Sequence, residues 1–460
     1  MRADHPFLRY GETLFARHPF RLLKGAASGY LAYPIAERRE KRVVRPKVEE
    51  LKRHYALPMP QRRRIALERL THILQFAGTQ VPYYRDLFAA LQFDPSKVAD
   101  DPARLDALPF LTKDIIREQG DRLYSRPLAD GIHHACKTGG STGLSCTIYY
   151  DQEAADYSSA VTAYARARVG AYRFRPELHF ACRFPGDVVP EWPSREDFKC
   201  FAMNRSNIFF DRLDDVGLEE IWQTLRRRRP YLVHAHPSTI YALACYIERA
   251  HPGEKTFSVF ESSGELLDAH AREVIARALR CRVIDRYGLA ELGVMAYELD
   301  GHQRGFQVLE SEGWAESRPV AENVDGSHEL VFTGFRNRLM PLIRYATGDM
   351  ARVVERPDGF FLTQVVGRIH DVVPIHGVPH PTHHIQDILD HRVGGIQEFQ
   401  IDLRTQPPTL RIVLEAWANP QETADKLQTI WQQAFQIAFV GHDALVRVGS
   451  RAKFRHVVTA

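Results

Sequence analysis

The chain has 460 residues, 44% of them hydrophobic and 26% charged, with a formal net charge of +4 at pH 7. That length exceeds one ordinary hydrophobic core and implies about two to three domains, and the composition is that of a globular protein. So small a charge gives no support to a nucleic-acid partner, and no run approaches the roughly 18 apolar residues of a membrane span.

The N-terminal stretch MRADHPFLRYGETLF sets Asp4, Arg9 and Glu12 where a signal peptide needs an apolar region, so the expectation is a cytoplasmic protein without a transmembrane segment. Phe15, Phe20, Leu22, Leu23, Tyr30 and Leu31 are interleaved with cations, a pattern compatible with weak contact to a membrane surface. The basic runs 38–47 and 226–229 read as solvated faces; the second closes a predicted helix, where cations suit the dipole. Cys136, Cys146, Cys182, Cys200, Cys245 and Cys281 are scattered without a C-x-x-C pair, which argues against a disulfide framework or a thiolate zinc site and for small buried hydrophobes.

Up to about residue 130 the pattern is mostly helical, with Ile65, Leu67, Leu70, Ile73 and Leu74 near helical spacing within 60–78. After a glycine-rich stretch, Asp151 caps an alanine-rich helix expected to end near Gly170. Strands at 178–184, 231–235, 257–262 and 281–286 then alternate with helices at 214–229, 238–250 and 268–279. This alternation predicts an α/β domain with a substantially parallel sheet. From 317 to 366 short strands (328–335, 350–355, 359–366) predict a small β-rich subdomain. Beyond Gly367 come strands at 398–404 and 409–416 and a helix at 421–439, with Ala424, Leu427, Trp431, Ala434 and Ala438 on one stripe. The expected fold is therefore α/β, with a large domain of helix-flanked β-sheets over 1–366 and a small α+β domain over 367–460.

The chemistry centres on 135–150, ACKTGGSTGLSCTIYY. Thr138, Gly139, Gly140, Ser141, Thr142 and Gly143 combine three glycines with three hydroxyls, and a β-prone run follows. Glycines let backbone N–H groups approach an oxyanion, and the hydroxyls add uncharged donors, so the stretch reads as a phosphate-gripping loop; a flexible polar turn is the alternative. It is not a Walker loop, because Leu144 and Ser145 follow Gly143 in place of the lysine and the helix start. Four further glycine-marked stretches follow in order: Ser263-Gly264-Glu265, Tyr287-Gly288-Leu289-Ala290-Glu291, Tyr345-Ala346-Thr347-Gly348-Asp349 and Gly367-Arg368.

Together with the loop, these stretches resemble the core motifs of the adenylate-forming superfamily of acyl-CoA synthetases, luciferases and peptide-synthetase adenylation domains. The resemblance runs from about residue 70 to the C-terminus. Pro237-Ser238 after a strand, VPYYRDLF at 81–88 and LPFLTKDIIR at 108–117 resemble the phenylacetate-CoA ligase branch, which includes relatives tied to capsular polysaccharide synthesis. The resemblance implies that residues 138–143 hold the β- and γ-phosphates, Tyr287 and Gly288 lie at the adenine, and Glu291 binds Mg²⁺. It further implies that Asp349 accepts hydrogen bonds from the ribose, that Arg368 supports the ribose or phosphate side, and that Ser263, Gly264 and Glu265 line the adenine and acyl junction. Lys453 stands where the family's tail lysine is expected, and it joins Glu291 and Thr142 as the implied catalytic residues.

Several positions depart from the family pattern. The loop commonly ends in Lys-Pro, where this chain has Leu144-Ser145, and the hinge has His370 and Asp371. Leu299 and Gln307 stand where some members carry a Cys and a His, which argues against a zinc site there. His376, His380, His383 and His384 overlie a Gly-x-x-x-x-Pro-x-x-Ile-Glu segment in which Gly377 and Ile385 match while Thr382 and Gln386 depart, so they are not read as a metal site.

The expected activity is AMP-forming: a small-molecule carboxylic acid is activated with ATP and Mg²⁺ and passed to coenzyme A, with 367–460 acting as a mobile lid. A carrier-protein pantetheine, an amine or a hydroxyl is the alternative acceptor, and a nucleotide-binding protein without turnover is the rival of another class. The walls proposed for the acid pocket run from Arg183 and Phe184 through His234, His236 and Ser262, and leave an aryl acid, an amino acid and a fatty acid open. A homodimer is compatible with all of this.

Overall fold

The structure, a computed structural model, describes residues 17, 19–137, 146–182, 194–210, 213–300, 304–319, 328–368, 372–376, 378–381, 385, 388–448 and 453–459. Its contacts divide the chain into two compact units: Met1–Ala36 with Ala171–Asp285 and Ile369–Ala460, and Glu37–Gly170 with Arg286–Arg368.

In chain order, β1 (His133–Lys137) and β2 (Thr147–Asp151) form an antiparallel hairpin in which Lys137 pairs with Thr147, so the two ends of the glycine-rich stretch are held side by side. Strands β3 (Glu177–Cys182), β4 (Arg205–Phe210), β5 (Leu232–Ala235) and β6 (Val259–Ser262) are parallel, in the order β4, β3, β5, β6. Strand β7 (Arg282–Leu289) adds its first half to this order, with Arg282 to Asp285 parallel to β6. Its second half belongs to the other unit and pairs antiparallel with β8 (Gly293–Tyr297). There β9 (Phe306–Val308), β10 (Gly313–Pro319), β11 (His328–Gly334), β12 (Tyr345–Arg356) and β13 (Gly359–Arg368) continue in the order β8, β9, β13, β12, β11, β10. Strands β14 (Val372–Ile375) and β15 (Val378–Pro381) make a hairpin. The tail closes with β16 (Ile396–Asp402), β17 (Thr409–Leu414), β18 (Gln436–Phe439), β19 (Arg447–Val448), β20 (Lys453–Phe454) and β21 (Val457–Val458).

In the first unit the helices Asp215–Arg228, Pro237–Ala250 and Ala269–Leu279 follow β4, β5 and β6, as the alternating pattern predicts. Asp214 and Asp268 accept backbone N–H bonds from Gly217 (3.0 Å) and Ala271 (2.8 Å), which starts two of them. Their apolar stripes bury Trp222, Leu225, Ile240, Leu243 and Ile275 together with Leu178, Val233 and Phe260 of the strands. In the second unit the helix Met59–Gln80 buries Ala66, Leu70, Ile73, Leu74 and Ala77, a stripe that starts one residue later than Ile65. Asp151 caps Gln152–Arg168, accepting from Ala154 N–H at 2.8 Å.

Two expectations are corrected. The tail helix stops at Trp431: Gln432 takes a positive φ of 44°, and Gln436–Phe439 is a strand parallel to β17. Alternating Ile437 and Phe439 suit a pleated surface better than a helix, so Ala434 and Ala438 do not extend the helical stripe. The cysteines divide: Cys146 and Cys281 are buried, but Cys136, Cys200 and Cys245 are only partly so.

Glu398 of β16 keeps 12% of its side chain exposed, and burial raises its pKa from 4.5 to about 7 against the pull of His456, whose Nδ1 is 3.6 Å from Oε1. A carboxyl that holds its proton to higher pH in the folded chain contributes stability that is full below pH 4.5 and is lost as pH rises through 7. Glu398→Gln is therefore expected to flatten the pH dependence of the unfolding free energy between pH 4.5 and 7, where the wild type should lose stability; urea denaturation across that window measures it.

Candidate active site

Two of the glycine-marked stretches meet in the second unit. Tyr287-Gly288-Leu289-Ala290-Glu291 forms the end of β7 and the turn into β8, and a Cβ on Gly288 would collide with the carbonyl oxygen of Gly293 across the pair. Tyr345-Ala346-Thr347-Gly348-Asp349 opens β12, with Gly348 at φ 76°, a backbone region that side-chain-bearing residues adopt only under strain. The Tyr287 hydroxyl donates to Oδ2 of Asp349 at 2.7 Å, and the Tyr345 hydroxyl donates to Oε1 of Glu291 at 2.8 Å. Each carboxylate is thus oriented by one phenol from the other stretch. A charge-assisted O–H···O⁻ bond of this kind is stronger than a neutral one and fixes direction. Behind Asp349, the Thr347 hydroxyl donates to Leu330 O at 2.6 Å and accepts from Asp349 N–H at 3.1 Å. Asp349 also pairs in register with Arg368 of β13.

The lead into β12 is braced by the two upstream stretches. Tyr84, from VPYYRDLF, donates its hydroxyl to Pro341 O at 2.9 Å and accepts from Ile343 N–H at 3.2 Å. Burial raises its phenol pKa well above the ordinary range, so it stays a donor. Leu111, from LPFLTKDIIR, bridges to Tyr345: its N–H bonds Arg344 O and its carbonyl accepts from Ala346 N–H, both at 3.0 Å. Between them stands Arg344, at φ 49°, with its guanidinium donating to Leu105 O (2.7 Å) and Leu108 O (2.6 Å) and paired with Glu316 (2.9 Å).

A second group lies in the first unit, at the C-terminal ends of β5 and β6, where open α/β sheets bind their ligands. His236 Nδ1 lies 2.8 Å from Ser263 O, Gly264 follows at φ 87°, and Glu265 Oε2 accepts from Ser238 N–H at 3.2 Å in the first turn of Pro237–Ala250. One step back along the strands a polar row crosses the sheet, since Asn207, His179, His234 and Glu261 are register neighbours on β4, β3, β5 and β6. The His179 and His234 rings are 5.0 Å apart, and His234 Nδ1 is 2.9 Å from Oε1 of fully buried Glu261. Parallel strands are usually apolar on both faces, so such a row is costly and marks a place where chemistry overrides packing.

Residues 138–145 lie outside the described residues, so the loop's Thr138 to Gly143 and the departures Leu144 and Ser145 have no geometry here. The same holds for Arg183, Phe184, His370, Asp371, Gly377, Thr382, His383, His384 and Gln386, and for the side chains of Arg368, His380 and Lys453. Lys453 is in β20 and pairs with Val448. His376 Nε2 lies 3.0 Å from Trp431 O, a backbone partner. Among the described residues no three His, Cys, Asp or Glu side chains converge as a metal position. Sequence reasoning passed over Tyr84, Arg344 and His179. The first two lie far from the acidic motifs in sequence or beside them without a distinctive spacing, and only the doubled tyrosine of VPYYRDLF hinted at a buried phenol.

No family model matches the chain. Protein CapK of Staphylococcus aureus is 24% identical over 251 residues, 54% of this chain and 54% of CapK, so that match spans about half of the relative. The phenylacetate-coenzyme A ligase of Pseudomonas putida is 28% identical over 335 residues, 68% of this chain and 72% of the ligase. Among solved structures, 2-hydroxyisobutyryl-CoA ligase in the postadenylation state, in complex with R3-HIB-AMP, aligns with a TM-score of 0.66 at 19% identity, over 89% of this chain and 92% of that one. The fold is thus the mixed α/β fold of that ligase.

Tyr84→Phe removes the buried hydroxyl that serves Pro341 O and Ile343 N–H. It is expected to lower the unfolding free energy by about 1–3 kcal/mol, the cost of leaving buried backbone groups unpaired, with an unchanged far-UV circular dichroism spectrum. Urea denaturation measures the first and the spectrum the second.

Proposed function

We propose that the chain is a member of the adenylate-forming superfamily, on the branch of phenylacetate-CoA ligase and CapK, and that it is an AMP-forming acid–thiol ligase. Its carboxylic acid substrate attacks the α-phosphorus of ATP, pyrophosphate leaves, and the thiol of coenzyme A then takes the acyl group from the adenylate while AMP departs. The observation that carries this reading is the pairing of Tyr287 with Asp349 and of Tyr345 with Glu291, which gathers an aromatic ring and two oriented carboxylates in one cluster.

Each role follows from the chemistry of its group. The Tyr287 ring offers stacking area to adenine without charge, and Asp349, directed by the Tyr287 hydroxyl, accepts from ribose hydroxyls. Glu291 has one oxygen committed to Tyr345, so its other oxygen would be the one offered to a hard cation. That suits Mg²⁺, which is commonly held by one or two carboxylates together with substrate phosphates. The ion supplies neutralisation of the phosphate charge. The hydroxyls and N–H groups of residues 138–143 would hold the β- and γ-phosphates, and Arg368, in register with Asp349, would serve the ribose or phosphate side. Ser263, Gly264 and Glu265 would line the junction with the acid. The row of His179 and His234 supplies imidazoles on the side of the sheet where the acid pocket is proposed. Residues 1–366 would bind ATP and acid, and 367–460 would act as a mobile lid carrying Lys453.

Pyrophosphate release screened across a library of aryl, amino and fatty acids tests the reading: one acid class should release pyrophosphate with ATP and Mg²⁺, and coenzyme A should convert the product to a thioester. Tight ATP binding with no acid-dependent release would contradict it. A product that forms only with an amine, a hydroxyl or a carrier pantetheine would keep the adenylation and change the acceptor.

Lys453→Ala separates the half-reactions. If its ammonium meets charge developing between carboxylate and α-phosphate, adenylate formation should fall about 10²- to 10³-fold while thioester formation from supplied acyl adenylate stays near wild type. Single-turnover kinetics of each half-reaction measure this.

A further inference from the structure

The helical run Phe20–Ala26, Ala27–Ala32 and Tyr33–Arg39 has an inner and an outer side that differ sharply. The inner side is made of small buried residues, Gly25, Ser28 and Gly29. A Cβ on Gly25 would strike the carbonyl oxygen of Phe174, so the helix lies directly on the 173–174 backbone, and Arg173 stacks its guanidinium 3.4 Å from the Tyr33 ring centre. The run is thus a docked helix and not a loose arm.

Its outer side carries Phe20, Leu22, Leu23, Tyr30, Leu31 and Ile35, with Leu23, Tyr30, Leu31 and Ile35 exposed by 62%, 70%, 65% and 61%. Six large apolar side chains open to solvent within sixteen residues are a concentrated apolar surface, of the sort that marks an interaction site and not ordinary scatter. Tyr172 is exposed beside the same segment, stacked on Phe174, and adds a second tyrosine of the amphipathic type that favours membrane–water boundaries. Charge narrows the choice of partner. Residues 17–39 contain Arg17, Arg21, Lys24, Arg38 and Arg39 against one acid, Glu37, which is buried. A basic, apolar and aromatic helical face fits a negatively charged lipid surface, into whose headgroup region the apolar residues sink while the cations meet phosphates. No described helix is long and apolar enough to cross a membrane.

We propose that the outer face of Phe20–Arg39 docks the protein peripherally on an anionic lipid bilayer. The full-length protein is mixed with vesicles of phosphatidylcholine alone or of phosphatidylcholine with phosphatidylglycerol, and the bound fraction is measured by sedimentation. Binding to the anionic vesicles is expected, with little to the neutral ones. It should weaken strongly between about 0.1 and 1 M salt, where the Debye length falls from about 10 to 3 Å. Leu23→Asp combined with Leu31→Asp should weaken the partition about tenfold or more, while the circular dichroism spectrum and acid-dependent pyrophosphate release stay unchanged, because both positions are on the surface. No binding to anionic vesicles, or binding that the double variant leaves intact, overturns the proposal. So does a dimer in light scattering that the variant dissolves in a protein that ignores vesicles, since a second copy would then be the occupant.

Discussion

The site depends on how the short segment before β12 is held. Arg344 sits in the left-handed region with its guanidinium buried among the carbonyls of Leu105 and Leu108 and the carboxylate of Glu316. A buried cation is costly unless it is hydrogen-bonded, and it is the terminal nitrogens of Arg344, not its Nε, that find partners, so these contacts favour one backbone path for the residues on either side. Tyr84 secures the path from Pro341 to Ile343, and the Leu111 bridge secures Tyr345 and Ala346. Everything that follows in the strand, including the direction of the Tyr345 phenol and of the Asp349 carboxylate, inherits that path.

From this bracing comes a division of labour among phenols. Tyr287 and Tyr345 each belong to one acidic motif and orient the carboxylate of the other, so the two stretches are coupled and neither acid is positioned by its own backbone alone. The hydroxyls hold direction without contributing charge. In the other unit the cluster of His179, His234, Glu177 and Glu261 follows the opposite logic, with imidazoles and carboxylates close together in a sheet whose other face is apolar. There a buried acid has an imidazole nitrogen 2.9 Å away, His234 Nδ1 beside Glu261 Oε1.

The parts of the fold that read from sequence are those in which local pattern and tertiary need agree. Asp214, Asp268 and Asp151 start helices as capping residues should, and the apolar runs ending at Ala235 and Ser262 are strands because they alternate with amphipathic helices. The tail helix was overextended because alanine spacing past Trp431 mimics a helical stripe, whereas Ile437 and Phe439 find parallel partners on β17 that no local pattern encodes. The candidate site reads from sequence as an ordered set of glycine-marked motifs, and at Gly288 and Gly348 glycine has a local reason: one avoids a collision and the other takes a positive φ. Beyond the hint in the doubled tyrosine, the roles of Tyr84 and Arg344 do not read from sequence, because their worth lies in backbone groups more than 230 residues away. The exposed apolar face of 20–35 was visible as composition, but only the buried glycines show which side is outward.

The central claim is that the phenols position the acids of an adenylating site. A double-mutant cycle of Tyr345→Phe and Glu291→Ala, read as acid-dependent exchange of pyrophosphate into ATP, tests it most directly. The account predicts that the two substitutions are strongly non-additive, with a coupling of about 0.5–3 kcal/mol, because removing either partner already undoes the shared hydrogen bond. Effects that add within about 0.3–0.5 kcal/mol would show that Tyr345 and Glu291 act independently and would contradict it.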